Sequence, residues 1–256
     1  MLEVERDGGR MTLRLARPEI GNAFDADLAG RLGEALESAA ADEAVRVVVL
    51  AGAGKHFSAG ADLAYMQRMR EAGRDANAQD ARRTQRLFAR VAEFPKPVVA
   101  RVHGAARGGG VGLVAAVDVA LASTAASFAF TEVRLGIVPA MIAPFVLERL
   151  GPARARRLFL TGETFGAADA LAWGLVDAVT APDELDAAVD RVVGQLLRGG
   201  PNAQREVKRL VAEVRFRDPS GTAALTADRI AELRVSDEGQ EGMAAFLEKR
   251  PPRWVT

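Results

Sequence analysis

Apolar residues follow two alternating patterns along the chain from its start to about residue 180. Short β-branched runs, such as Val45 to Leu50 and Val98 to Val102, are typical of buried strands. Between such runs, apolar residues recur every three or four positions, as in Asp25 to Ala39, which predicts a helix. Strands that alternate with helices indicate an α/β fold with parallel strands.

The same two patterns predict the other elements of this part of the chain. Strands are predicted at 2–6, 11–16, 117–123, 127–130 and 175–179. The first two flank Gly8-Gly9 and are expected to pair. Helices are predicted at 63–94, with a weak point at 73–77, and at 140–150, 153–160 and 167–173.

Only helical patterns remain after residue 182. There are four of them, near 182–197, 202–214, 221–235 and 238–248. A tail this short buries little apolar surface alone, so we expect it to pack on the rest of the chain or on another subunit. The sequence Arg-Gly-Gly-Pro at 198–201 is the clearest break, and we therefore predict a core at 1–199 and a helical region at 200–256.

Composition narrows the functional classes. In 256 residues, 34 basic and 34 acidic side chains cancel, which argues against general attraction to nucleic acid or membranes. Cysteine is absent, so disulfides and thiol catalysis are excluded, and two histidines are too few for a typical metal site. No apolar signal region or run of about 18 apolar residues occurs, and we expect a cytoplasmic protein.

The stretch Pro97 to Leu121 carries the first chemical signal. An apolar run ends at His103-Gly104, three glycines follow at 108–110, and an Ala/Val/Leu run begins at Val111. A strand, a glycine turn and a helix start form an anion-binding device, because the first helical N–H groups point at the ligand. Gly110-Val-Gly112-Leu-Val-Ala115 also matches a dinucleotide fingerprint, but residues 103–109 separate it from its strand, and we expect no nicotinamide cofactor.

The second signal is the loop His56 to Leu63, which follows the strand predicted at 45–50. Its residues 58–61 are small, so their backbone N–H groups are accessible. Open α/β sheets bind ligands beyond the carboxyl ends of their strands. Two such loops could direct two N–H groups at one carbonyl oxygen.

Together with three further blocks, these loops resemble the crotonase (enoyl-CoA hydratase/isomerase) superfamily. The blocks are KHFSAGADL at 55–63, GAARGGG at 104–110, FAFTEVRLGIVP at 128–139, LTGETFGAADALAWGLV at 160–176 and EGMAAFLEKR at 241–250. Five blocks in order are far more specific than any one of them. The pattern is closest to methylglutaconyl-CoA-type hydratases.

The resemblance implies a spiral of ββα turns with a helical C-terminal trimerisation region, assembled as a homotrimer or a dimer of trimers. It implies an acyl-CoA thioester substrate, an oxyanion hole at the backbone N–H groups of Ala61 and Gly109, and Glu132 as the acid–base. No metal or redox cofactor is expected, since coenzyme A is part of the substrate. The remaining candidate substrate contacts are Ala59, Asp62, Leu63, Gly108, Gly112, Met141 and Ile142.

One position departs from the family pattern. The hydratases of this family usually carry two glutamates, and Gly112 stands where the first is expected. A glycine inside a helix costs about 1 kcal/mol relative to alanine, so a reason for it is needed. Position 112 is either kept small to admit a branched or carboxylated acyl chain, or packed closely against a neighbouring element.

Three functions remain open. A single glutamate suffices to move a double bond, whereas hydration requires it to activate water and to deliver a proton to carbon. The motif pattern favours the hydratase, and a Δ3-Δ2-enoyl-CoA isomerase is the alternative. A non-catalytic CoA- or RNA-binding protein is the alternative of another class. Basic helix faces are the candidate RNA contacts, although the simpler interpretation is that these faces are only solvated. These faces carry Arg82, Arg83, Arg86 and Arg90, and Arg154, Arg156 and Arg157.

Overall fold

The computed structural model describes residues 1–255. Its strands are Leu2–Asp7 (β1), Arg10–Leu15 (β2), Val47–Gly52 (β3), Val98–Val102 (β4), Ala105–Arg107 (β5), Val119–Ser123 (β6), Ser127–Ala129 (β7), Thr164–Gly166 (β8) and Ala178–Thr180 (β9). Its α-helices are Ala26–Ala41 (α1), Leu63–Glu71 (α2), Arg74–Ala92 (α3), Gly109–Ala116 (α4), Ala143–Thr161 (α5), Ala167–Trp173 (α6), Leu185–Leu197 (α7), Pro201–Val214 (α8), Ala223–Val235 (α9) and Asp237–Leu247 (α10). The predicted α/β class is confirmed.

Two sheets organise the core. The larger has the order β1-β2-β3-β4-β6-β9 and is parallel except for the β1–β2 hairpin, while the smaller has the order β5-β7-β8. The chain passes from the larger sheet to the smaller and then into a helix, as in β4-β5-α4 and β6-β7-α5. A single bridge between Ser58 and Ala106 adds the loop after β3 to the smaller sheet, so β3 and α2 repeat the pattern. These repeats form the spiral of ββα turns that the resemblance implies.

Both faces of β3 are buried, which explains its continuous apolar sequence. Val48 and Leu50 face the main core, together with the apolar stripe of α1. Val47 and Val49 face α7, which covers the opposite side of the sheet. A strand buried on both faces is held rigidly, and it therefore fixes the loop that follows it.

Several predicted boundaries were wrong. The stretch 63–94 is two helices, interrupted at Ala72 and Gly73. By contrast, the break predicted between helices at 140–150 and 153–160 is present, because α5 is divided at Gly151, whose φ of +70° and ψ of 162° are not helical. The strand predicted at 175–179 is β9, at 178–180, and the three-residue strands β5 and β8 were not predicted because such short segments show no periodicity.

The helical region after residue 200 contacts the core directly. The ammonium group of Lys208 on α8 donates to the Asp118 carboxylate at 2.7 Å. Arg46, which directly precedes β3, donates to the carbonyl oxygens of Gly199 at 2.6 Å and Trp254 at 3.3 Å. The division at residue 199 stays a prediction. Within residues 1–255, no helix is both long enough and apolar enough to cross a membrane.

Candidate active site

Backbone pairing brings the two glycine-rich loops together. Ser58 bridges to Ala106 of β5, with its N–H donating to Ala105 O at 3.1 Å and its carbonyl accepting from the Arg107 N–H at 2.9 Å. Two residues later, the backbone of Gly60 lies against that of Arg107, so that a Cβ at Gly60 would be 3.2 Å from Arg107 O. The loop before Ala61 is therefore packed on the strand that leads into Gly109.

Both expected oxyanion donors follow a glycine with positive φ. Gly60 has φ +94° and Gly108 has φ +46°, which are conformations that side chains strongly disfavour. These conformations orient the peptide groups that carry the N–H groups of Ala61 and Gly109. Neither of these N–H groups donates to an acceptor in the part of the chain that the structure describes. Two backbone donors are thus left for a ligand.

Helix α4 reinforces one of these donors. Gly109 is its first residue, so its N–H group lies at the positive end of the helix dipole. The seven residues after Gly109 are all buried. The helix therefore cannot move freely, and its N-terminus is a fixed source of positive potential.

Glu132 lies against Gly108, the residue before this donor. The strands β5 and β7 pair in parallel, and the Gly108 N–H donates to Ala129 O at 3.1 Å, which places Glu132 three residues further along. A Cβ at Gly108 would be 3.0 Å from Glu132 Oε1. Glu132 begins a short 3-10 helix at 132–135 that ends at Gly136.

The environment of Glu132 suits proton transfer. Its Oε2 is buried and has no hydrogen-bond partner among residues 1–255. Burial raises the pKa of the carboxyl above its ordinary value. A carboxyl with a raised pKa and a free oxygen, close to the loop that carries the unpaired Gly109 N–H, can exchange protons with a ligand whose oxygen gains negative charge.

The space beside Gly112 is filled by neighbouring side chains. A Cβ at this position would lie 2.2 Å from Ile142 Cγ2 and 3.1 Å from Phe88 Cε1. Ile142 is 2% exposed, and it precedes α5. Of the two explanations for this glycine, close packing describes the structure, and the expected extra room for an acyl chain is absent at this position.

The other candidate contacts take different places. The carboxylate of Asp62 accepts from the Tyr65 N–H at 3.0 Å and caps α2, and this hydrogen bond, with Arg17 nearby, lowers the pKa of Asp62. Leu63 is exposed, and Ala59 is exposed while its N–H donates to Gly21 O at 2.7 Å. Met141 is half-buried beside Ile142. Their contact with substrate stays a prediction.

Three features of the site were missed in the sequence. Gly60 orients the first donor, and its glycine identity next to Ala61 was the available signal. Phe88 and Phe24 flank Gly109, where a Cβ would be 3.5 Å and 3.9 Å from their rings. No local pattern predicts these contacts, because they join α3 and the loop before α1 to α4.

The basic side chains are divided between two helices, α3 and α5. Arg82, Arg83 and Arg86 are exposed on α3, and the Arg90 guanidinium pairs with Glu37 at 2.8 Å. Arg154 stacks over Trp173, with 5.2 Å between its guanidinium carbon and the ring centre. In residues 1–255, no group of three or more His, Cys, Asp or Glu side chains is arranged to hold a metal ion.

Comparison with known proteins agrees with this geometry. The family model described as enoyl-CoA hydratase/isomerase matches residues 5–256. A crystal structure of an enoyl-CoA hydratase from Shewanella pealeana superposes with a TM-score of 0.96 at 38% identity, covering 99% of this chain and 95% of that one.

Two curated proteins are also similar over nearly their whole length. The crotonyl-CoA hydratase of Syntrophomonas wolfei is 33% identical, over 99% of this chain and 97% of its own. The trans-2-decenoyl-[acyl-carrier-protein] isomerase of Streptococcus mutans is 32% identical, over 97% of this chain and 95% of its own. The spiral fold inferred from the sequence is that of the solved relatives. The chain therefore belongs to the enoyl-CoA hydratase/isomerase family, the crotonase superfamily.

Proposed function

We propose that this enzyme adds water across the 2,3 double bond of an enoyl-CoA thioester. The observation that carries the proposal is the position of the Glu132 carboxylate against Gly108, next to the unpaired N–H of Gly109. In hydration, the water oxygen bonds to C3 while negative charge moves to the thioester oxygen. Fixed donors at Ala61 and Gly109 would stabilise that charge, and one such donor is typically worth about 3 kcal/mol.

Glu132 would carry both proton transfers. As a carboxylate it takes a proton from the attacking water, and as a carboxylic acid it then delivers a proton to C2. The raised pKa supports this exchange, because the two protonation states are closer in free energy near neutral pH than for an exposed glutamate. The proposed reaction uses no metal ion or redox cofactor, since water and the fixed donors are sufficient.

The proposed acyl chain is apolar, either short or branched. The atoms nearest to a Cβ at Gly112 belong to Ile142 and Phe88, and both side chains are apolar. A carboxylated, glutaconyl-type chain is the alternative, and the panel of thioesters described below distinguishes the two. Met141 and Ile142 are the proposed residues that shape the acyl pocket.

An isomerase is the second candidate, and one observation favours it. Position 112 carries no second carboxylate, and Ile142 occupies the space where such a side chain would begin. An isomerase needs only one base, which removes a proton from C2 and returns it to C4. The similarity to the Streptococcus mutans isomerase supports the same alternative.

The test uses crotonyl-, 3-methylcrotonyl-, 3-methylglutaconyl- and trans-3-hexenoyl-CoA in deuterated water. A 3-hydroxyacyl product that is lost in Glu132→Gln and kept in the control Glu148→Gln supports the hydratase. A shifted double bond without water addition supports the isomerase. Binding of every thioester without turnover would refute both and indicate a non-catalytic CoA-binding protein.

We also propose a homotrimer or a dimer of trimers, assembled through the helical region. Several large apolar side chains of that region are exposed in the single chain: Phe216, Val235, Phe246 and Leu247, each at least 78% accessible. Monomeric soluble proteins rarely expose such side chains together. Sedimentation equilibrium is expected to give three or six times the chain mass of 27.1 kDa, and a monomer would contradict the proposal.

A further inference from the structure

Two polar residues outside the known motifs hold the loop that carries Ala61. Asn22 is completely buried, and it adopts φ +57°, which is uncommon for a residue with a side chain. Arg17 lies just before it, with its side chain 21% exposed. Neither residue was singled out by the sequence patterns.

Every polar group of Asn22 is used to join two segments. Its side-chain amide donates to the carbonyl oxygens of Ala53 at 2.8 Å and His56 at 2.7 Å. Its backbone carbonyl accepts from the Ser58 hydroxyl at 3.0 Å. Its Oδ1 accepts from the Arg17 N–H at 2.9 Å, and its own N–H donates to Arg17 O at 2.8 Å. Asn22 thereby fixes the whole turn between β3 and Ser58.

The Arg17 guanidinium joins the caps of two helices. It donates to the Asp25 carboxylate at 2.7 Å and to the Asp62 carboxylate at 3.0 Å. Asp25 caps α1 through the Leu28 N–H, and Asp62 caps α2 through the Tyr65 N–H. Each helix start is therefore held in position relative to the other.

Ala61 lies between these contacts. Phe24 pairs with it in a parallel bridge, in which the Phe24 N–H donates to Gly60 O at 2.6 Å and the Asp62 N–H donates to Phe24 O at 2.8 Å. The Gly60 carbonyl belongs to the same peptide group as the Ala61 N–H, so the hydrogen bond from Phe24 sets the direction of this donor. Arg17 and Asn22 hold the segments that carry Phe24 and Ala61, and thereby keep this hydrogen bond in place.

We propose that Arg17 and Asn22 are positioning residues for the Ala61 N–H donor. The inference rests on the proposed oxyanion hole. A misplacement of a donor by about 1 Å in such a site costs about 100-fold in rate. Loss of the contacts made by either residue is therefore expected to lower kcat by roughly that factor. KM changes little, because the donor interacts most strongly with the charged oxygen of the transition state.

The experiment measures the donor directly by isotope-edited infrared spectroscopy. Butyryl-CoA with a 13C-labelled carbonyl is saturated and cannot be hydrated, and its C=O stretch falls in frequency when the oxygen accepts hydrogen bonds. In the wild-type enzyme the stretch of the bound thioester is expected below that of the thioester in water. In Asn22→Gly, which keeps the positive φ accessible, and in Arg17→Met, it is expected to return toward the value in water.

Two further variants separate positioning from stability. Arg149→Met is the matched control, because Arg149 is similarly enclosed (17% exposed) and also bonds carbonyl and carboxylate oxygens, at Val117 and Asp177, away from the two loops. It should leave the stretch and kcat unchanged. Arg17→Lys keeps the charge but has fewer hydrogen-bond donors. Its C=O stretch and its kcat are expected to lie between those of the wild-type enzyme and those expected for Arg17→Met. This variant provides the test if Arg17→Met does not fold.

The outcomes distinguish the two proposals. If the wild-type enzyme binds butyryl-CoA without lowering its C=O stretch, the proposed oxyanion hole is wrong. The proposed positioning role of Arg17 and Asn22 is then wrong as well. If the wild-type stretch is lowered and the folded Arg17 and Asn22 variants keep that lowered stretch, only the positioning role of these two residues is overturned. A loss of kcat in Arg149→Met equal to that in Arg17→Met would also overturn it, since the effect would then be one of stability.

Discussion

Replacement of Gly112 by alanine tests the packing account of the missing glutamate. The added methyl carbon would be 2.2 Å from Ile142 Cγ2, 2.9 Å from Ile142 Cβ and 3.1 Å from Phe88 Cε1, whereas carbon atoms prefer about 3.5–4 Å. Helix α4 is buried along its length, so relief requires movement of Ile142. Overpacking of this kind costs about 1–3 kcal/mol, and we take the upper part of that range because the shortest contact is severe.

The helix preference of alanine offsets about 1 kcal/mol of that cost. The net loss is then about 1–2 kcal/mol, which for a chain of this size lowers Tm by about 2–8 °C. Ile142→Ala alone removes core packing and costs about 2–5 kcal/mol. The double variant should lose less than the sum of the two, by about 1 kcal/mol or more, because the added methyl group enters the vacated space.

Thermal unfolding of the four proteins gives this cycle. The control is Gly30→Ala in α1, where no atom lies within 4 Å of the added carbon, and this variant should be stabilised by about 1 kcal/mol. If Gly112→Ala were as stable as the wild type and its effect were additive with that of Ile142→Ala, the packing explanation would be wrong. The space beside Gly112 would then be open to the acyl chain.

Three further predictions concern titrating groups. Burial raises the pKa of Glu132, so ionisation of this side chain opposes folding as pH rises above the ordinary glutamate value. Glu132→Gln should therefore raise Tm more at pH 7 than at pH 4. An equal change in Tm at both pH values would contradict this. Tyr65 is the only tyrosine, and burial together with the hydrogen bond to Asp80 raises its pKa to about 12. A pH titration followed by absorbance at 295 nm should show this midpoint in the folded protein and a lower midpoint in Asp80→Asn. A midpoint of 10 in the folded wild-type protein would refute the raised pKa. Hydrogen bonds from Arg250 and from the Arg253 N–H lower the pKa of Glu241 to about 2, so the contribution of Glu241 to stability is complete above the ordinary glutamate value and is lost as pH falls toward 2. Carboxyl NMR should give a higher pKa in Arg250→Gln, still below the ordinary value because the Arg253 N–H remains, and an unchanged value would exclude the pairing with Arg250.

Local sequence predicted most of the elements and the candidate residues of the site. The apolar run from Val47 within the strand predicted at 45–50 was enough to predict a buried strand, since a strand covered on both faces is uniformly apolar. The glycines at 108–110 predicted a helix start that accepts an anion, and the ordered blocks identified Ala61, Gly109 and Glu132 as candidates. Conformations that only glycine readily adopts leave a mark in the sequence, because no other residue serves there.

Tertiary structure alone decided how these residues are held and why one expected acid is absent. Ile142 and Gly112 are 30 positions apart, and no period or motif links them until α5 packs on α4. The contacts of Arg17 and Asn22 likewise cross 31 to 45 positions, to Ala53 and Asp62. Such contacts depend on where whole elements meet in space, and a side chain's neighbours at that distance are fixed by the folded backbone and not by the residues beside it in the chain.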